Sequence, residues 1–110
     1  MQITRNVVYV IIGDTWSEGY CSTTIEAIHN TPEGAKEHLK RLIPLEKCRF
    51  MGDVYGIYDV TVDDVDEHLK FHNIRVNYHE YSDGLDNFYL EDKKAKRHVY
   101  LKIVERELED

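Results

Sequence analysis

Val7-Val8-Tyr9-Val10-Ile11-Ile12 runs directly into Gly13-Asp14. β-Branched and aromatic residues in an unbroken row, with no helical spacing, read as a strand. The lack of polar alternation suits a central strand covered on both faces. Asp14 to Tyr20, with Trp16 and Gly19, reads as a polar turn. Ser22 to His29 reads as a second strand, antiparallel to the first, with Thr23, Ile25 and Ala27 on one face.

Downstream, Thr31-Pro32-Glu33 is a helix start. Thr caps orphan amides, and Pro is pre-organised at the first helical position. Ala35, Leu39 and Leu42 recur at helical spacing, and Pro44 is expected to end the helix. Leu45 to Gly52 carries no readable pattern. Val54 to Val62 reads as a third strand. Asp63-Asp64 opens a second helix striped by Val65 and Leu69 and closed by Asn73. Ile74, Val76 and Tyr78 alternate as a fourth strand, and Ser82-Asp83-Gly84 is a turn. Phe88-Tyr89-Leu90 is a short fifth strand, Asp92 to Arg97 a charged turn, and Val99, Leu101 and Ile103 mark the last strand. The expected architecture is an α+β single domain over residues 1–110, in the order ββα-βα-βββ. Its sheet is antiparallel-dominated, with five or six strands and two helices mainly on one face.

The composition supports this reading. Hydrophobic residues make up 42% of the 110, enough for one core, and two prolines and six glycines leave no long linker. The net charge of −7 argues against a sequence-independent grip on nucleic acid, which needs clustered cations. Between Asp59 and Asp92 there are ten acids against Lys70 and Arg75, a net of −8; Lys93, Lys94, Lys96 and Arg97 then reverse the sign. Val7 to Ile12 is too short to span a membrane and lacks a small-residue cleavage site, so the expectation is a cytoplasmic protein.

Motifs for chemistry are sparse. His68 and His72 sit one helical turn apart, as zinc ligands do, but Leu69 stands where the metalloprotease motif has Glu. Solvated or half-buried histidines are the preferred reading, with no tightly bound zinc. Cys21 and His29 lie on or near the same expected strand, eight residues apart, yet nothing around Cys21 would lower its pKa. Asp14, in Gly13-Asp14-Thr15, reads as a turn former. The basic stretch Lys93 to His98 reads as a solvated turn. Phosphate-binding loops, nucleophile elbows and calcium loops are missing from the sequence, and no cofactor is expected.

From Val8 through Leu42 the chain resembles short accessory proteins of tailed phages and mobile elements. The resemblance rests on Tyr9-Val10-Ile11, Ile25-Glu26-Ala27-Ile28, Thr31-Pro32-Glu33-Gly34-Ala35, and the alternating tail Val104-Glu105-Arg106-Glu107-Leu108. It covers about a third of the chain plus the tail. It implies accessory status without a defined chemistry, and it carries over no functional residue.

Eight tyrosines are many for this size, and Tyr combines large contact area with a polar tip. Tyrosines beside a dense acidic belt point to a protein-binding face. The expected function is a small acidic interaction module, in its sharper form a phage-type inhibitor seated on a basic surface of a host protein. Its candidate contact residues are Asp59, Asp63, Asp64, Asp66, Glu67, Tyr78, Tyr81, Asp83, Asp86 and Tyr89. Direct nucleic-acid and membrane contacts are not expected. A small-ligand or nucleotide-binding module and a metal- or Cys-dependent enzyme are the alternatives.

The cytoplasmic reading makes Cys21 and Cys48 free thiols. Alkylation of unfolded protein without reductant should modify both, as read by intact mass. An unmodified mass would show a disulfide.

Overall fold

A computed structural model describes residues 6–108. One five-stranded sheet has the order β2-β1-β5-β4-β3, with every neighbouring pair antiparallel. Its strands are β1 (Val7–Ser17), β2 (Tyr20–His29), β3 (Arg75–His79), β4 (Asn87–Asp92) and β5 (Arg97–Glu107). Two helices, α1 (Pro32–Tyr55) and α2 (Val65–Phe71), lie between β2 and β3 in the chain. The α+β class, the antiparallel sheet and the two helices agree with the sequence reading. The order is ββααβββ, because the strand expected over Val54–Val62 does not form.

The third strand is lost because α1 is longer than expected. Pro44 lies inside the helix rather than at its end. Pro removes one backbone hydrogen bond and crowds the preceding turn. Leu39 before it and Phe50 and Met51 after it are buried in one core, and their packing holds the helix through the interruption. Position 46, which should continue the apolar stripe, is Glu46, and its side chain is only 16% exposed. Burial pushes its carboxyl above the ordinary range, while Arg49 opposes that rise. Pro44 and Glu46 together hid the helical period of residues 45–52.

The helix stops at Gly56, whose φ of 69° is left-handed and suits glycine. Its N–H donates to the Gly52 carbonyl at 3.0 Å, and the Ile57 N–H donates to Met51 at 3.3 Å. Gly52 also lets the Tyr58 ring lie against the helix, since a Cβ there would come within 2.9 Å of that ring. Beyond it the chain is extended and unpaired, with Ile57 and Val60 turned to the core. α2 follows, and Asn73 closes it at φ 57° with the Ile74 N–H donating to the Leu69 carbonyl.

β1 does not turn at Gly13-Asp14 but continues to Ser17, and Asp14 is a mid-strand residue rather than a turn former. Its carboxylate accepts from the Thr23 hydroxyl at 2.7 Å and faces the Lys102 ammonium at 3.6 Å. In β2 the register shifts opposite Ile11 and Ile12, leaving Glu26 as the extra residue of a bulge. The face expected to hold Thr23, Ile25 and Ala27 together is therefore split. Ala27 packs on the core, while Ile25 points to the other side, 68% exposed.

The core fills one side of the sheet. Ile11 stands opposite Ile103, Phe88 opposite Leu101, and Leu90 opposite Val99. These six pack with Ala35, Leu39, Phe50 and Met51 of α1 and with Val65 and Leu69 of α2. Among the described residues no helix lies over the second face of β1, which carries Val8, Val10, Ile12 and Trp16. The expectation that β1 is covered on both faces thus holds for one face only.

A helix that runs through Pro44 makes a testable demand. Replacing a mid-helix proline by alanine relieves about 3 kcal/mol in an isolated helix, less about 1 kcal/mol for the looser unfolded chain. Pro44→Ala should stabilise the protein by about 2 kcal/mol in urea denaturation. A neutral or destabilising result would place the helix end at residue 44.

Candidate interaction surfaces

The candidate contact residues fall in three places. Asp59, Asp63, Asp66 and Glu67 are exposed on α2 and the segment before it. Asp64 is the N-cap of α2, and its carboxylate accepts from the Thr61 N–H at 2.8 Å. Tyr81 and Asp83 are exposed in the β3–β4 turn, with Tyr78 and Asp86 beneath them. Tyr89 lies on the helix-free side of the sheet, opposite Tyr100.

These groups do not form one belt. Lys36 meets Glu80 at 3.4 Å and Asp86 at 3.6 Å, Lys40 meets Glu80 at 3.9 Å, and Lys47 meets Asp66 at 2.9 Å. Lys36 and Lys47 are about three turns apart on α1, roughly 16 Å. The α2 acids and the β3–β4 turn therefore sit at different ends of α1. The α1 lysines also offset part of the negative charge that looks continuous in sequence.

Asp86 and Asp92 are buried. One Asp86 oxygen accepts from the Tyr78 hydroxyl at 2.7 Å, and the other accepts from the Tyr81 N–H at 3.0 Å. Burial, then this bond, pushes the Tyr78 phenol well above its ordinary value. Asp92 accepts from the Ala95 N–H at 3.0 Å and from the Tyr55 hydroxyl. Burial, then the bond to Asp92, pushes Tyr55 up to about 12. The Tyr55 ring stacks on His72 with centroids 3.9 Å apart. Asp86 is thus buried and spent on holding the fold, and half-buried Tyr78 gives its hydroxyl to it. Asp92 is an inward anchor of the same kind.

The exposed acids of α2 have apolar neighbours that sequence reading missed. Tyr58 is 82% exposed, Phe71 81% and Val62 52%. Ile57, Glu67, His68, Phe71 and His72 line an open groove there. Phe71 falls at the end of a short helix, off the Val65–Leu69 stripe, and that position was its only sequence signal.

The helix-free sheet face carries a second cluster. Trp16 stacks on His98 with centroids 5.1 Å apart at an interplanar angle of 10°. Tyr89 touches His98 at 5.8 Å and Tyr100 at 5.9 Å, and the Lys102 ammonium lies 5.7 Å from the Tyr100 centroid. Reading residues 14–20 as a turn had removed Trp16 from this ladder. Lys96, in the β4–β5 turn beside it, meets Glu18 at 3.7 Å.

The suggested chemical pairings do not assemble. Cys21 lies at the start of β2 and His29 at its end, about 27 Å apart along an extended strand. His29 Nε2 instead meets His38 Nδ1 of α1 at 2.7 Å. His68 and His72 both line the α2 groove, but the His72 ring is stacked on Tyr55 and no third ligand joins them among the described residues. Among the described residues no group of three or more His, Cys, Asp or Glu is placed to hold a metal. Among the same residues no helix is long and apolar enough to cross a membrane.

The histidine pair ties β2 to α1 and needs one neutral acceptor nitrogen. His38 is held below its ordinary value, first by burial and then by facing His29 and Arg41. The fold therefore favours neutral His38. This contribution is complete above an imidazole's ordinary pKa of about 6.5 and is lost as pH falls through the lower folded value. The melting midpoint should drop between about pH 7.5 and 5.5, and His38→Asn should flatten that drop. An unchanged slope in the variant would assign the effect elsewhere.

Comparison with family models, curated proteins and solved structures returned no match to this chain.

Proposed function

We propose that the protein is an interaction module whose α2 surface docks on a basic, partly apolar surface of another protein. The observation that supports this is the exposure of Phe71 and Tyr58 beside Asp59, Asp63, Asp66 and Glu67. Interface hot spots are typically aromatic anchors ringed by polar groups, and electrostatic complementarity steers the approach. The groove beside Phe71 gives an apolar side chain of the partner a place to insert. Open concavity, rather than an enclosed site with convergent polar groups, favours a protein over a small ligand.

The two kinds of contact separate in kinetics. Against a partner captured by the wild-type protein, Phe71→Ala and Tyr58→Ala should each raise Kd about tenfold or more, mainly through faster dissociation. Reversing Asp59, Asp63 and Glu67 to Lys should slow association, with the difference shrinking as salt rises. The side chains of Phe71, Asp59, Asp63 and Glu67 are exposed, so these variants should change stability by less than about 0.5 kcal/mol, and Tyr58→Ala, which also removes the ring from Gly52, by about 1 kcal/mol. Equal binding by every variant would remove α2 as the docking surface.

A further inference from the structure

We infer that the helix-free face of the sheet is the contact between two copies of this chain, stacked sheet on sheet. β1 has the sequence of a strand buried on both sides, yet among the described residues helices cover only one side; on the other, Val10 is buried while Val8 and Ile12 are half-buried. On the open side Ile25 and Ile28 are 68% and 62% exposed, beside half-buried Val8 and Ile12 of β1 and Val104 of β5, with Val10 buried among them. The aromatic ladder of Trp16, His98, Tyr89 and Tyr100 continues this surface toward the other end of the sheet. Lone exposed apolar residues are ordinary, but a contiguous aliphatic and aromatic face marks an interaction surface.

Three observations favour a second copy as the occupant. The first is area. Strand spacing and rise give three long and two short strands a face of about 700 Å² in projection. A standard stable interface uses about 800 Å² per partner. The second is charge. The chain carries −7, and most of its surface would repel a copy of itself. The strand registers place Asp14, Glu91, Arg75, Lys102 and Arg106 on the open face, two acids against three bases. Asp14 and Lys102 there already neutralise each other at 3.6 Å. This near-neutral face is where a copy can approach without the penalty of like charge. The third is the edge. The bulge at Glu26 interrupts the outer ladder of β2, and β3 is only five residues long. Both features disfavour edge-to-edge pairing and leave face-to-face stacking as the route to a dimer.

The pairing predicts a specific pattern in solution. Wild-type protein should sediment at twice its 13.0 kDa mass at concentrations of tens of µM and dissociate on dilution. Trp16 is the only tryptophan, so its emission should shift to the red across the same dilution. Ile25→Glu and Ile28→Glu alter exposed side chains and should leave the fold, read by circular dichroism, unchanged. Both should sediment at 13.0 kDa, with no concentration-dependent shift in Trp16 emission. A wild-type mass of 13.0 kDa at about 100 µM would overturn the inference and leave the face to a different partner. A dimer that survives both substitutions would overturn it equally, because the contact would then lie elsewhere. Neither variant touches α2, so the outcome is independent of the docking surface proposed above.

Discussion

Burying a carboxylate costs several kcal/mol unless its oxygens are fully engaged, and this chain does so at each end of β4. The inward row of that strand reads Asp86, Phe88, Leu90, Asp92, all buried. The two apolar residues pack in the core, and the two aspartates bind what lies beyond the sheet. Asp86 gathers Tyr78, the Tyr81 amide and Lys36 of α1, fixing the β3–β4 turn to the start of the long helix. Asp92 gathers Tyr55 and the Ala95 amide, fixing the end of that helix to the β4–β5 turn. α1 is thus held at both ends by one short strand. The His72 ring stacked on Tyr55 brings α2 into the second of these clasps.

Regular elements with unbroken periodicity were legible in the sequence: the start of α1, α2 with its Asn73 closure, β3, the Ser82–Gly84 turn, and β4 and β5; β2 was legible as a strand but not in its facing, because of the bulge at Glu26. The failures share a cause. Pro44 and Glu46 break the local signal of α1, and only Phe50 and Met51 packing against distant strands restores it. Val54 to Val62 has strand propensity, but Val54 and Tyr55 are taken up by α1 and Ile57 and Val60 pack on the core. Asp86 and Asp92 looked like members of an acidic belt because charge was read along the chain. Read with the strand period of two, they fall on the same inward face as Phe88 and Leu90, and that signal was present. The aromatic ladder was illegible because it depends on register between β1 and β5, which are separated by most of the chain.

Charge and apolar surface are distributed with a consistent logic. Acids dominate around α2, where exposed aromatic rings accompany them. The open sheet face is nearly balanced in charge and rich in β-branched and aromatic groups. Exposed apolar surface elsewhere would be a liability in solution, and a high net charge offsets such a liability by repulsion. The same repulsion confines productive contact to surfaces where the charge is neutralised or matched.

Strand order also sets a timetable for folding. Val7 pairs with Glu107, so the middle of the sheet joins the first described strand to the last. During synthesis β1 and β2 emerge as a hairpin with Ile11 and Ala27 uncovered on one side and Ile12 and Ile25 on the other. Such a hairpin is marginal in water by itself. β5, the strand between β1 and β4, is supplied only after both helices and the other four strands have been made. Contacts of such long sequence separation slow folding and prolong the exposure of apolar strands. The hairpin therefore keeps its apolar faces open until β5 has been made, and the position of one strand sets how long that exposure lasts.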